Sequence, residues 1–247
     1  MRSRLLVAAA LTAAIALPAR AQIRGSGDGY LFREPMIRAS AHVGYSRAGT
    51  GSDLFDELTT TFILSKSDFS AITLGAEVGW QVLPRVELSA GVDYAGARAG
   101  SEYRFFEDTD DQPIEQTMRF ERVPIMANVR LSLRSRGRQI GRLAWVPTRV
   151  VPWIGAGTGP MWYRFRQTGD FVDTGTNGIS YDELRSDGWT LGAQAMAGLD
   201  VAVTPAIALT TAVRSTWARA ELGRDYSGYE RLDLSGVSAT LGITFRP

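Results

Sequence analysis

From Ile37 onward, apolar residues recur at every second position, and the positions between them hold glycine, small polar residues and isolated charges. A repeat of two specifies strands with two unlike faces. The stretch W-I-G-A-G-T-G-P-M-W-Y, Trp153 to Tyr163, is the extreme case, with glycine at 155, 157 and 159 and Ile154, Ala156, Thr158, Pro160 and Trp162 on the opposite face. Seven further runs follow the same rule: Ile37–Tyr45, Ile72–Val82, Val86–Tyr94, Val123–Leu133, Trp189–Val201, Ile207–Trp217 and Val237–Phe245.

The glycines decide which face is inside. Gly44, Gly75, Gly79, Gly91, Gly155, Gly157, Gly159, Gly192, Gly198 and Gly242 share a face with Arg38, His42, Glu77, Glu87, Asp93, Arg130, Asp200 and Arg214. In a soluble sandwich that face would meet water, where glycine weakens a strand and gains nothing; glycine inside strands marks crowding. The interior of an eight-stranded barrel is only just wide enough for side chains. Small residues interleaved with charges suit such a lumen, and the apolar face then meets lipid. The expected fold is all-β: an eight-stranded antiparallel transmembrane β-barrel, an up-and-down meander. Strand-like segments at Thr59–Ser65, Tyr103–Phe106 and Gln116–Glu121 extend it above the membrane, or bring the count to ten if they insert.

Aromatic placement fits this reading. With the first strand running upward from the periplasm, Tyr45, Tyr94, Trp162, Trp189 and Trp217 fall near the upper strand ends, and Trp80, Trp153 and Phe245 near the lower ends. Two such girdles flank the apolar band of an outer-membrane barrel. Connections at Leu83–Arg85 and Thr204–Pro205 are tight, whereas those around Ala48–Phe69, Gly96–Thr117, Gln167–Gly188 and Ala220–Glu230 are long and polar. Short periplasmic turns and long outer loops are the rule for such barrels. Ser135–Val150 departs from it, a long periplasmic segment carrying Arg136, Arg138, Arg142 and Arg149.

The first residues set the compartment. Arg2 and Arg4 precede an apolar run, Leu5 to Leu17, and Ala19-Arg20-Ala21 forms an A-x-A cleavage site. That is a secretory signal peptide over residues 1–21. Residues 22–34 read as a lead-in and residues 35–247 as the barrel domain. Cleavage removes three of the 27 basic side chains and none of the 26 acidic ones, leaving net −2, a balance that gives no reason to expect a nucleic-acid partner. The chain has no cysteine, which excludes disulfides and thiol catalysis.

P-W-I-G-A-G-T-G (Pro152–Gly159), V-P-I-M-A-N-V-R-L (Val123–Leu131) and A-T-L-G-I-T-F (Ala239–Phe245) resemble the small outer-membrane β-barrel superfamily, which includes OmpA-type transmembrane domains and the OmpX and OmpW proteins. The resemblance spans nearly the whole mature chain and is one of pattern. It implies localisation to the cell outer membrane, contact with outer-membrane lipid and lipopolysaccharide, and recognition of the last strand by the barrel-assembly machinery. In that family the last strand ends on an aromatic; here Phe245 is followed by Arg246 and Pro247. The family has no shared catalytic residues.

Little in the sequence points to catalysis. G-A-G-T-G-P has Pro160 where a dinucleotide-binding fingerprint needs its third glycine. His42 is the only histidine; it could meet Ser40 or Glu77, but it faces the lumen rather than lipid, and a hydrogen-bonded structural role is the expectation. Asp108 and Asp110 are spaced as in a calcium loop, yet Pro113 stands where that loop needs glycine. No cofactor or metal is expected. Arg38, His42, Glu77, Glu87, Asp93, Arg130, Asp200 and Arg214 mix both signs in a narrow space, which requires mutual pairing. The favoured reading is a non-catalytic barrel with a charge-filled lumen and a structural or surface-interaction role, its extracellular ligand unnamed. A small porin for polar or amphipathic solutes is the alternative, and a lipid-modifying enzyme the weakest.

Overall fold

The computed structural model describes residues 31, 33–107, 112–141, 144–173 and 178–247. The expected signal peptide and most of the expected lead-in lie outside these. Eight antiparallel strands make the barrel: β1 (Ile37–Ala48), β2 (Ala71–Leu83), β3 (Val86–Glu107), β4 (Pro113–Ser132), β7 (Val150–Asp173), β8 (Gly178–Ala202), β9 (Ile207–Ala220) and β11 (Gly236–Phe245). Each pairs with the next, and β11 returns to β1. Two short strands, β5 (Gly137–Ile140) and β6 (Ala144–Pro147), form a separate hairpin, and β10 (Leu232–Asp233) lies on the end of β9.

The register closes with a defined shear. Following paired residues from Arg38 leads through Gly79, Ser89, Asn128, Gly157, Gln194, Thr216 and Gly236 back to β1 at Ala48, ten residues above the start. Strand number and stagger together fix the tilt and the narrow bore. Every residue on that path faces the lumen, while Val43, Leu74, Val78, Leu88, Val129, Ile154, Leu199, Val213 and Ile243 are exposed on the outside. An apolar belt around a whole molecule is incompatible with water and matches the hydrocarbon band of a membrane barrel.

The barrel is lopsided. β3, β4, β7 and β8 have 22, 20, 24 and 25 residues, against 12, 13, 14 and 10 for β1, β2, β9 and β11. The four long strands form a wall rising above the membrane on one side. Tyr103–Phe106 and Gln116–Glu121 are strand in this wall, as expected, and none of the extensions inserts to raise the count above eight. Two expectations are corrected. The supposed loops Gly96–Thr117 and Gln167–Gly188 are largely strand, the upper ends of β3 and β4 and of β7 and β8. Thr59–Ser65 is no strand extension: α1 (Asp53–Thr61) occupies its start. Leu54, Phe55 and Leu58 all fall on the buried side of α1, and Asp53 and Asp56 stand in the first turn, where the helix dipole favours acid.

The basic periplasmic segment also has a fold. β5 and β6 pair beneath the barrel, Leu31 bridges to Trp145, and the Trp145 indole is buried against Gly137.

The glycine row holds strands at close approach. A Cβ on Gly157 would lie 2.6 Å from the Ala127 carbonyl oxygen, a backbone atom that cannot yield. Gly157→Val is therefore expected to abolish refolding into detergent micelles, while Ala156→Val, one residue away on the lipid face, refolds normally; heat-modifiable gel mobility distinguishes them.

Candidate functional site

Side chains of different chemistry fill the lumen at two levels. At the periplasmic level each strand contributes to one polar network. The Arg38 guanidinium, on β1, donates from Nη2 to Glu77 on β2 and from Nε to Glu87 on β3. Arg130, on β4, stands 3.7 Å from Glu77, 3.6 Å from Glu87 and 3.4 Å from Asp200 of β8. Asp200 also accepts from Trp153 Nε1 at 3.2 Å and Thr210 Oγ1 at 2.9 Å, and pairs with Arg246 at 3.4 Å. Three guanidinium groups meet three carboxylates, all buried. Above them, Gln194 donates to Asn128 at 2.6 Å, and Asn128 donates to Glu77 at 3.4 Å. From below, the hairpin adds buried Arg136, whose pKa burial lowers against the raising effect of Glu87 and Glu34.

Of the eight lumen residues expected to pair, Arg38, Glu77, Glu87, Arg130 and Asp200 are brought into this network. His42 and Asp93 form their own pair at 2.5 Å. Arg214 donates to Thr240 at 2.9 Å and has no carboxylate within ion-pair distance among the described residues. Ser40 donates to the Glu77 carbonyl oxygen rather than meeting His42.

Trp153 requires a correction. Expected in the lower girdle, it is buried in the lumen with the Arg130 guanidinium 3.7 Å from its ring centre. It shares the parity of Gly155, so it must point inward, where the cation and the indole face attract. The other girdle aromatics face outward: Tyr45, Trp80, Trp189, Trp217 and Phe245 are exposed, and Tyr94 and Trp162 are half-buried beside Glu121 and Arg164. Arg246 was not anticipated either. It follows Phe245 and so takes the inward parity of the last strand.

The upper level is apolar. α1 and the 3-10 turn Lys66–Phe69 lie over the mouth, and Phe55 packs edge-on against Phe69, Phe120 and Phe165 with centroids 4.8, 5.6 and 6.1 Å apart. Leu54, Leu58, Phe62, Met118, Met161, Tyr163, Tyr226 and Leu232 belong to the same cluster. Hydrogen bonds pin this lid to the last loop. Asp53 accepts from the Glu230 amide at 2.9 Å, and Asp233 accepts from the Gly51 amide at 3.0 Å and the Ser235 amide at 2.9 Å. Buried Arg122 reaches from the wall to the Leu234 and Ser235 carbonyl oxygens at 3.1 and 2.9 Å. Between the two levels is a cavity of about 40 Å³ lined by Thr73, Asp93, Arg122, Gln194, Arg214 and Ser238 among others. The spacing of Leu54, Phe55, Leu58 and Phe62 carried the signal for the lid. Asp108 and Asp110, spaced as in a calcium loop, lie outside the described residues.

A closed ring of eight strands, an apolar outer belt between aromatic girdles and a side-chain-filled polar lumen define an outer-membrane-type β-barrel. No family model matches the chain, and no curated protein matches it. Among solved structures it is similar to the outer membrane protein OprG from Pseudomonas aeruginosa, at 10% identity over 86% of this chain and 96% of that one, with a TM-score of 0.47. It is also similar to neisserial surface protein A (NspA), at 12% identity over 86% and 97% of the two chains and a TM-score of 0.43. A third is the attachment invasion locus protein Ail of Yersinia pestis, at 11% identity over 86% and 99% and a TM-score of 0.39.

Two outcomes follow from the seals. Glu77→Ala leaves Arg38 and Arg130 short of a buried partner, so it should cost about 3–5 kcal/mol in urea unfolding from lipid vesicles; a lipid-facing Val78→Ala should cost far less. The lid should be acid-sensitive. Partial burial pushes the Asp233 carboxyl up, but hydrogen bonds from Ser235 and the Gly51 amide, with the Arg219 charge, outweigh it and hold the group below its ordinary value. A depressed carboxylate contributes stability above its unfolded pKa, about 4, and that contribution is lost as pH falls through the folded value. Proteolysis of the residue 49–70 loop should accelerate below that pH. In Asp233→Asn the loop should be cut faster at neutral pH and lose that part of the acid dependence.

Proposed function

We propose that this protein is a non-catalytic, non-conducting barrel of the cell outer membrane, built to hold a rigid surface structure outside the cell rather than to pass solutes. The supporting observation is the pair of seals in series, a balanced ionic layer below and an aromatic lid above. Between them lies a cavity of about 40 Å³, far below the 300–1,000 Å³ of a typical small-molecule pocket. The elements that differ from a bare barrel, the tall wall of β3, β4, β7 and β8 and the lid tied to it, are all extracellular. We also propose β11, ending on Phe245, as the segment the assembly machinery reads.

The absence of cysteine makes a clean test. A single Thr73→Cys places a thiol in the cavity between the two layers. In the intact protein it should resist a membrane-impermeant thiol reagent from both sides. With Phe55→Ala and Leu58→Ala added, it should react from outside only. Labelling of Thr73→Cys in the intact barrel would contradict the sealed lumen and favour the small porin.

A further inference from the structure

The register places four arginines in one continuous cross-strand row. Arg98 of β3 is paired with Arg119 of β4, Arg119 with Arg166 of β7, and Arg166 with Arg185 of β8. All four have the outward parity of their strands, and Arg98, Arg119 and Arg185 are exposed. Directly opposed like charges destabilise a sheet, and neighbouring strands in a row lie only about 4.5–5.5 Å apart between Cβ atoms. Folding alone does not account for such a row. Acids offset it only in part: Arg119 meets Glu121 at 3.4 Å, Arg166 meets Glu183 at 3.2 Å and Arg185 meets Asp187 at 2.6 Å. Arg98 has no carboxylate within ion-pair distance among the described residues. One row below, Arg164 shares Glu121 at 3.7 Å.

Height identifies the ligand. Trp162 and Trp189 are paired on the girdle row, and Arg166 and Arg185 lie four residues further out on the same strands. At about 3.3 Å per residue and a tilt near 40°, the arginine row stands roughly 10 Å above the girdle. It faces sideways, along the membrane plane, from a wall whose inner face is occupied by Phe120 and Phe165 against the lid. A ligand for this row must carry several anions at that height and approach laterally. Guanidinium groups bind phosphate oxygens bidentately, and an outer-leaflet glycolipid with phosphorylated sugars presents them there.

We propose that the row Arg98–Arg119–Arg166–Arg185 binds the phosphorylated sugar headgroup of a neighbouring outer-leaflet glycolipid, clamping lipid to the tall wall. This rests on the outer-membrane placement and not on the lumen being closed. The test uses the refolded full chain in detergent, with native mass spectrometry counting bound lipid. The probes are bisphosphorylated lipid A, the same lipid with its phosphates removed, and phosphatidylglycerol. Retention of bisphosphorylated lipid A is expected, weakened about ten-fold or more in Arg119→Gln, Arg166→Gln, with little binding of the other two. Arg98→Gln, at an exposed position without an ion-pair partner, should weaken it without touching the sheet and serves if the double variant misfolds. Equal retention by wild type and both variants, or equal retention of phosphatidylglycerol, would overturn the assignment. Thiol protection at Thr73→Cys reports separately on the lumen and should be the same in all these proteins.

Discussion

A charge buried in the bore of an eight-stranded barrel must be met by a polar partner, a carboxylate in the lower layer and the Thr240 hydroxyl for Arg214. The lumen is too narrow for bulk water, and a lone buried ion costs several kcal/mol. Arg38, Arg130 and Arg246 therefore meet Glu77, Glu87 and Asp200 in a single layer, with Trp153 stacked on one guanidinium and Thr210 donating to one carboxylate. Because successive side chains alternate faces, this layer also sets the register: a one-residue slip on a strand that carries one of these charges would turn it toward lipid and an apolar residue into the network. The lipid-facing belt and the glycine row at the close strand approaches follow from the same parity.

Above the membrane the constraint reverses. Water replaces lipid outside the strands, so the outward positions of β4 and β7 become Arg119, Arg164 and Arg166. The inward positions become Met118, Phe120, Tyr163 and Phe165, which need an apolar partner. The β1–β2 connection supplies it as α1 and Phe69. Polarity inverts within single strands at the girdle, and that inversion turns one half of the barrel into a wall with a packed inner face and a cationic outer one.

What could be read from the sequence follows this division. Within the membrane the alternation is unbroken and the two environments differ as much as they can, so strand number, parity and the inward charges were legible. Beyond the girdle the same period of two continues with its chemistry exchanged, which makes Gln167–Gly188 look like a polar loop although it is mostly paired strand. α1 was missed because its apolar residues are few and sit in a stretch of threonines and acids. Trp153 was misassigned when height was weighed above parity. Arg246 became visible as a lumen residue only through its place one step past Phe245. Pairings such as His42 with Asp93, and the isolation of Arg214, depend on shear, which no local pattern encodes.

The central claim is that two independent seals close the bore, and single-channel recording in a planar bilayer tests it most directly. The native barrel should be silent. Glu77→Ala, Arg130→Ala should stay silent with the lid intact, as should Phe55→Ala, Leu58→Ala with the ionic layer intact, while the quadruple variant should pass current. Steady conductance in the native protein would contradict the account, and conductance in either double variant would show that the seals are not independent.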